Sequence, residues 1–293
     1  MPVRTWFADR DIQVGEWWCP GATEPLGPEE VLTRHEILLG RVGGHIRRFG
    51  RQKVVLDAAH VVRTSAGVPF RTANAIGLPQ RGTYLHVSDS LLGELMGDGR
   101  LGSLETPTVM CDSILLAPSV AFAHMRLVRA VRQNAPLLAI HGLALAIVRP
   151  VVLDSGAATP DRDIVTPNGR DAVETISQML AFRFTEELSL RDLASEVHLS
   201  PWYLSRVFRR VTGISVWQHV LNLRLRAAIE RLAMGETDIG RLGLALGFSS
   251  HSHFTAAFQR AFGVAPSHPS VRAHLASAQP ANGGPRFPLR PRD

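Results

Sequence analysis

The sequence predicts an α+β fold in which a strand-rich N-terminal part precedes an all-helical C-terminal part. Three observations carry this prediction. Short β-branched or alternating segments separated by turn residues fill residues 31–87. Apolar residues recur at helical spacing from about Ser88 onward. Two segments near the C-terminal end also repeat one another, which indicates a duplicated structural unit.

Length and composition describe a globular chain with room for two hydrophobic cores. The chain has 293 residues, of which 45% are hydrophobic and 20% charged, and roughly 100–200 residues per domain suits two domains. Lys and Arg number 32 against 26 Asp and Glu. The net charge is +1 over residues 1–164, +3 over 165–275 and +2 over 276–293. The surplus lies toward the C-terminal half, where it permits a polyanionic partner.

Strands are expected first, and helices after them. The expected strands are His35–Gly40, His45–Phe49, Lys53–Leu56, Val61–Arg63 and Thr83–Val87. The glycine pair Gly43-Gly44 stands between the first two, which favours a hairpin turn there. Helical spacing then predicts helices over Ser90–Met96, Ser119–Gln133 and Leu137–Val152.

Two stretches of biased composition mark the expected boundaries. The segment DSGAATPDRDIVTPNG is rich in Pro, Asp, Gly and Thr, and the last 15 residues hold four prolines and two glycines. Such stretches favour linkers and disordered tails over packed structure. We therefore expect one domain over residues 1–153, a linker over 154–169, a second domain over 170–276 and a disordered tail over 277–293.

The internal repeat is the strongest pattern in the chain. Apolar residues match at an offset of 49 positions and, after one inserted residue, at an offset of 50. The matched positions are 190/239, 193/242, 197/246, 199/248, 204/254, 208/258 and 213/263. Seven matches across a single insertion indicate two copies of one unit.

Each copy has the residues of a helix-turn-helix unit. A capping-box pattern at Ser189 opens a short helix in the first copy. A small residue inside the short helix, Ala194 in the first copy and Gly243 in the second, allows the next helix to approach closely. Ser200-Pro201 then supplies an N-cap and a proline at the first helical position. A helix over Val216–Met234 joins the copies; at about 28 Å it suits recognition helices about one DNA turn, roughly 34 Å, apart.

The second helix of each copy is expected to bury its apolar stripe and turn polar residues outward. The outward residues are Trp202, Ser205, Arg206, Arg209 and Arg210 in the first copy, and His251, Ser252, Thr255, Gln259 and Arg260 in the second, with His253 at the edge. Arg and His donate to base edges, whereas Ser and Thr contact bases or phosphates. We expect the DNA backbone contacts from Arg209, Arg210, Gln259 and Arg260.

Residues 170–267 resemble the DNA-binding domain of AraC/XylS-family transcription regulators. The likeness rests on LSPWYLSRVF at Leu199–Phe208, Thr212-Gly213, LGFS at Leu246–Ser249, and the spacing Phe254-x3-Phe258-x4-Gly263-x2-Pro266. The sequence departs from the family after Pro266, where Ser267-His268-Pro269 replaces the usual Tyr-Arg pair.

The resemblance implies a sequence-specific transcription regulator whose partner is double-stranded promoter DNA. Carried over position by position, it implies base contacts from Trp202, Ser205, Arg206, His251, Ser252, His253 and Thr255. It leaves activation and repression both open.

Residues 15–153 resemble, by element order, the sensing half of some family members, which is a cupin-like β-barrel followed by dimerisation helices. This resemblance implies a small-molecule effector of unknown identity and a homodimer formed through residues 119–152, with RNA polymerase as a further candidate partner. Met1–Arg10 has no apolar signal-peptide core. Ala135–Val148 is shorter than the roughly 20 residues that span a bilayer. We expect a cytoplasmic protein with no membrane partner.

Other function classes remain open at this point. A cupin-type metal-dependent enzyme or metal sensor would need clustered ligands, and His45, His60, His86, Cys19 and Cys111 lack the paired His-x-His of metal-binding cupins. A cysteine-based alkyl acceptor would need a cysteine ligand set, and no CxxC is present. A non-specific architectural DNA binder would show no sequence preference. We expect no catalytic residue, no metal and no cofactor.

Overall fold

The computed structural model describes residues 2–21, 26–74, 77–96, 111–154 and 165–276. The fold is α+β, as predicted, with antiparallel sheets in the N-terminal part and helices in the C-terminal part. Residues 155–164 of the predicted linker and the predicted disordered tail, 277–293, lie outside the described residues. No helix in the described ranges is long and apolar enough to cross a bilayer.

Ten strands in the described part of the chain form two antiparallel sheets. They are β1 (Val3–Ala8), β2 (Ile12–Cys19), β3 (Glu30–Val31), β4 (His35–Val42), β5 (His45–Phe49), β6 (Gln52–Leu56), β7 (His60–Thr64), β8 (Pro69–Ala73), β9 (Gln80–Val87) and β10 (Cys111–Leu115). The six-stranded sheet has the order β1-β2-β9-β4-β7-β10, and the four-stranded sheet has the order β3-β8-β5-β6. All five strands predicted between residues 35 and 87 are confirmed.

The predicted hairpin at Gly43-Gly44 is wrong. β4 pairs with β7 and β9, whereas β5 pairs with β6 and β8, so the chain passes from one sheet to the other at these glycines. Gly43 has φ +68°, and a Cβ at Gly44 would lie 2.9 Å from the Leu56 carbonyl oxygen. The pair therefore permits a tight crossing. The hairpin between β5 and β6 lies instead at Gly50, where φ is +56°.

The two sheets share one hydrophobic core. Leu38 and Tyr84 of the larger sheet belong to the same buried cluster as Val54 and Phe70 of the smaller sheet. Packed sheets bury the inner residue of each strand and leave alternate residues outside. The cupin-like form of this sheet pair stays a prediction.

A buried group of polar side chains lies among these strands. Arg47 donates hydrogen bonds to Oε2 of Glu36 and, at 2.8 Å, to Oγ1 of Thr64. Its guanidinium also stacks 4.0 Å from the centre of the Phe70 ring. Nε2 of His86 lies 3.2 Å from Oε1 of Glu36. The buried carboxylate is therefore flanked by two groups that stabilise its charge.

These neighbours decide the protonation of the buried groups. Burial acts to raise the pKa of Glu36, but Arg47 and His86 outweigh it and lower that pKa to about 2. Burial and the positive charge of Arg47 both lower the pKa of His45, to about 3. At neutral pH the cluster therefore holds an ionised Glu36, a charged Arg47 and a neutral His45.

Ten helices are present within the described ranges. They are α1 (Asp89–Met96), α2 (Pro118–Arg132), α3 (Leu137–Leu153), α4 (Pro167–Arg183), α5 (Leu190–Glu196), α6 (Pro201–Thr212), α7 (Val216–Ala233), α8 (Ile239–Ala245), α9 (His251–Phe262) and α10 (Pro269–Ala276). The four helices whose ends were predicted, α1, α2, α3 and α7, are confirmed to within one residue. α10 forms where the sequence departs from the family pattern, and it buries Val271 and Leu275.

Packing divides the described residues into two compact units. Those of 1–115 and 152–223 form one unit, and those of 116–151 and 224–293 form the other. The first holds the sheets, α4 to α6 and the start of α7, whereas the second holds α2, most of α3, the rest of α7 and α8 to α10. The predicted domains follow chain order and do not coincide with these units. The predicted domain bounds stay a prediction about which parts of the chain fold independently.

The short helix α8 packs closely against α9. A Cβ at Gly243 would lie 2.9 Å from Cβ of Phe254, a distance at which one of the two helices must shift. A Cβ at Gly240, in the same helix, would lie 3.6 Å from its nearest neighbour, Oδ1 of Asp238. The absence of a side chain is therefore needed at Gly243 and not at Gly240.

We expect Gly243→Ala to lower the free energy of unfolding by about 1–2 kcal/mol, because it overpacks the contact with Phe254. The matched control Gly240→Ala should raise it by up to about 1 kcal/mol, because alanine favours the helix and meets no close atom. Urea unfolding followed by circular dichroism measures both. Equal stabilisation by the two substitutions would show that α8 and α9 do not pack this closely.

Acid stability tests the buried Glu36. Because the pKa of Glu36 is lower in the folded chain, its ionised form stabilises the fold above about pH 4.5, and this contribution is lost as the pH falls toward about 2. We expect Glu36→Gln to lower the free energy of unfolding by about 3 kcal/mol near neutral pH, with the difference shrinking through that range. Urea unfolding at a series of pH values measures it. Glu30→Gln, on an exposed strand, is the control, and a pH-independent difference would contradict the prediction.

Candidate nucleic-acid interface

The first helices of the two repeat copies begin and end in the same way. The N-cap of α5 is Ser189, whose hydroxyl accepts from the Asp192 amide at 3.1 Å. The N-cap of α8 is Asp238, 49 positions later, whose carboxylate accepts from the Arg241 amide at 2.9 Å. The turn after each helix also has one residue with positive φ, His198 at 54° and Gly247 at 84°. The two copies therefore share the backbone conformation at both ends of the first helix, in addition to the repeated sequence pattern.

The second helices, α6 and α9, match in the same way. Ser200 and Ser250 are their N-caps, and each hydroxyl accepts from the amide three residues on, at 3.2 and 3.1 Å. Each helix ends at a left-handed glycine, Gly213 with φ 79° and Gly263 with φ 75°. A left-handed glycine is a common helix terminator. Both copies therefore contain a short helix, a tight turn and a second helix of 12 residues.

The apolar stripe of each second helix is buried. In α6, Leu204, Val207 and Phe208 belong to a core that also contains residues of α4 and α5. In α9 the buried residues are Phe254, Ala257, Phe258 and Phe262. Because one stripe of each helix is held in a core, the opposite face is turned to solvent.

The open face of α6 holds the residues predicted there. Trp202 is 68% exposed, and the guanidinium of Arg206 lies 5.2 Å from the centre of its ring. Ser205 and Arg209 are exposed, and Arg210 is half-buried. These five side chains line one open surface depression. The structure therefore brings the predicted residues of the first copy together.

The charge on this face is positive and unopposed. α6 has three arginines and no acidic residue. Among the residues that the structure describes, no carboxylate lies within ion-pair distance of Arg206, Arg209 or Arg210. Guanidinium groups with unused donors suit phosphate oxygens and the acceptor edge of guanine.

The open face of α9 is less charged and richer in hydrogen-bonding groups. His251, Ser252, His253, Gln259 and Arg260 are exposed. The His253 ring is oriented by Ser249, whose Oγ lies 3.0 Å from Nδ1, and by an edge-on contact with Phe248. Thr255 differs from the other predicted residues, because it is half-buried and its hydroxyl is inaccessible to solvent. Its predicted base contact would therefore need a local rearrangement.

The candidate ligands named for the N-terminal part do not come together. His86 pairs with Glu36, Cys19 accepts from the amide of Asn74 at 3.7 Å, and burial raises the pKa of the Cys111 thiol. In the described ranges, one group of three metal-ligating side chains lies together, namely Asp57, His60 and His219. Of the residues considered from sequence, this group contains His60 alone.

Comparison with known proteins places the repeat in a known class. Residues 193–269 match the family model described as a helix-turn-helix domain. The chain is 29% identical over 94 residues to the bifunctional transcriptional activator/DNA repair enzyme AdaA of Bacillus subtilis, a match that covers 32% of this chain and 44% of AdaA. It is 36% identical over 81 residues to the HTH-type transcriptional regulator ArgR of Pseudomonas aeruginosa, which covers 28% of this chain and 25% of ArgR. The chain thus spans less than half the length of these relatives.

Among solved structures, ToxT from Vibrio cholerae O395 aligns with a TM-score of 0.36 and 14% identity, over 92% of this chain and 99% of ToxT. The sequence matches, the duplicated helices and their caps all concern the C-terminal part of the chain. Residues 193–269 are a helix-turn-helix domain of the AraC type.

Proposed function

We propose that this protein is a sequence-specific transcription regulator that binds promoter DNA and reads two successive major grooves, one with α6 and one with α9. One observation carries the proposal. Two helices with the same caps, 50 positions apart, each bury an apolar stripe and leave a polar face without acidic residues open to solvent. A second helix of a helix-turn-helix unit with such a face fits the major groove.

The proposed contacts divide into two kinds. Base contacts would come from Trp202, Ser205, Arg206, His251, Ser252, His253 and Thr255. Backbone contacts would come from Arg209, Arg210, Gln259 and Arg260. Arg206 is the strongest candidate for reading a base, because the Trp202 ring beside it limits the directions in which its guanidinium points. A bidentate contact with guanine depends on such orientation.

We also propose that the sheet pair binds a small-molecule effector. Two buried donors there, Nε1 of Trp17 and Nε of Arg47, have no hydrogen-bond partner among the described residues. Buried donors of this kind are costly unless a partner is supplied. A ligand with acceptor oxygens would supply one. To change transcription, that ligand must bind more tightly to one of two conformations of the regulator.

Mapping the bound sites across a genome, with and without candidate metabolites, tests the regulator and its effector together. A defined sequence motif whose occupancy changes with one metabolite supports both proposals. Binding spread evenly over the genome would favour an architectural DNA binder. The same maps, compared with transcript levels, distinguish activation from repression. We also propose RNA polymerase as a partner and a cytoplasmic location for the protein.

An enzymatic role has less support. An alkyl-acceptor cysteine needs a lowered pKa, whereas burial raises the pKa of Cys111. The name of AdaA includes a repair activity, but that match covers a third of this chain. We therefore propose a regulator without catalytic activity.

Finally, we propose a homodimer formed through residues 119–152. Two leucines at the start of α3, Leu137 and Leu138, are 66% and 84% exposed. Exposed leucines at the start of an otherwise apolar helix favour self-association. The family resemblance implies that a second copy of the chain covers them.

We expect Arg206→Ala to weaken binding to the specific site by about 1–3 kcal/mol and to relax the preference at one base pair. Fluorescence anisotropy with specific and random duplexes at fixed salt measures both effects. Arg10→Ala is the control, because it removes the same charge from an exposed position outside the repeat. Equal losses on specific and random DNA would place Arg206 on the backbone and not on a base.

We expect Leu138→Glu to convert a dimer into a monomer of 32.0 kDa, because a carboxylate cannot be buried unpaired in an apolar interface. Sedimentation equilibrium measures the mass. Leu244→Glu, at an exposed leucine of α8, is the control that should leave the mass unchanged. A wild-type chain that is already monomeric would exclude this interface.

A further inference from the structure

Three side chains with metal-binding chemistry lie close together in the unit that contains the sheets and α6. Asp57 follows β6, His60 begins β7, and His219 lies in the first turn of α7. The side chains of Asp57 and His219 are fully buried, and that of His60 is 12% exposed. None of them belongs to the proposed DNA-binding face.

The two imidazoles approach opposite oxygens of one carboxylate. Nδ1 of His60 lies 2.8 Å from Oδ1 of Asp57, and Nε2 of His219 lies 3.0 Å from Oδ2. The two rings stack with their centres 5.3 Å apart. One ligand atom from each residue lies within 4.8 Å of the other two.

The contact between His219 and Asp57 is close but is not aligned as a hydrogen bond. Nε2 of His219 and Oδ2 of Asp57 both lack a hydrogen-bond partner within the described residues, and so does Nδ1 of His219. Buried polar atoms without partners are rare and costly in folded proteins. A cation bound to Nε2 of His219 and Oδ2 of Asp57 would satisfy these two atoms together, leaving Nδ1 of His219 without a protein partner.

The spacing suits a small tetrahedral cation. Bonds of about 2.0–2.1 Å from zinc to nitrogen and oxygen place neighbouring ligands about 3.3 Å apart. The separation of 3.0 Å between Nε2 of His219 and Oδ2 of Asp57 would have to open by only a few tenths of an ångström, whereas Nδ1 of His60 would have to leave its hydrogen bond to Oδ1. The amide of Ala59 donates to Oδ1 of Asp57 at 2.8 Å, which orients the carboxylate as hydrogen bonds to metal ligands do in metal sites.

We propose that Asp57, His60 and His219 bind a divalent transition-metal ion, with zinc as the best match to two imidazoles and one carboxylate. These residues supply three ligands and leave the fourth position to water or a small anion. The ion would join the turn between β6 and β7 to α7.

The site is in contact with the core of the first helix-turn-helix copy. Ala59 lies in the same buried cluster as Phe208 of α6, and the Phe208 ring packs edge-on against His219 at 5.6 Å. An ion at this position would therefore stiffen α6 and the start of α7 against the sheets.

The competing interpretation needs no metal. Burial acts to raise the pKa of Asp57, but the two imidazoles lower it well below its usual range. An ionised Asp57 could thus be neutralised by the histidines alone. The zinc content of the chain distinguishes the two interpretations.

The full chain is stripped of metal with a chelator, dialysed against zinc chloride, and its zinc content is measured by elemental analysis. We expect one tightly bound zinc ion per chain. His219→Asn and Asp57→Asn should weaken zinc binding roughly 10- to 100-fold or more, measured by competition with a chromogenic chelator. His60→Asn, at the least buried ligand, serves as the variant least at risk of misfolding, and thermal unfolding without metal checks the fold of all three.

The control is His198→Asn, which removes an exposed histidine from a left-handed position that asparagine also adopts. It should bind zinc as the wild type does. Cobalt substitution gives a second readout, since a tetrahedral site without thiolate shows visible bands and no sulfur charge-transfer band.

Three results would overturn the proposal: less than one zinc per chain, equal binding by wild type and His219→Asn, or a thiolate band that places the ion at Cys19 or Cys111. Equal binding by the two proteins would place the ion on ligands other than His219. The measurements use no DNA, so their failure is independent of a failure of the proposed regulator function.

Discussion

The close packing of a short helix against a longer one, in each of two copies, is the constraint on which the proposed DNA-binding surface depends. In the second copy that packing leaves no space for a Cβ at Gly243. Once the apolar stripe of the second helix is held in this way, most of its polar side chains are turned outward, Thr255 being half-buried. The same serine N-cap and the same glycine at the end fix where each helix begins and stops. The polar face is thus a consequence of packing and capping together.

Local patterns in the sequence predicted most of this part of the molecule. Caps, turn residues and the 3.6-residue period act over a few positions, so Ser189, Ser200 and the glycines after each second helix could be identified without any tertiary information. The repeat added a check, because an error in one copy would not fit the other. Thr255 is the exception, since its burial depends on side chains that the helical period does not specify.

The N-terminal part was harder to predict because its structure depends on pairing between distant strands. Gly43-Gly44 has the composition of a hairpin, yet it connects two different sheets, and only the strand partners decide between these outcomes. β1 was not predicted because most of its side chains are exposed and show no apolar alternation. Asp57 and His219 could not be paired from sequence either, since no local period relates a residue after a strand to one in a helix far along the chain.

The two second helices have the same backbone but different chemistry. α6 carries three arginines beside a tryptophan, whereas α9 carries two histidines, a glutamine and a single arginine. A duplex bound by both helices would contact the strongly cationic face of α6 in one segment and the nearly neutral face of α9 in another. Its recognition sequence would then have no internal symmetry, and one bound chain would lie on the promoter in a single direction. Such polarity distinguishes upstream from downstream, which a palindromic site bound by identical halves cannot do.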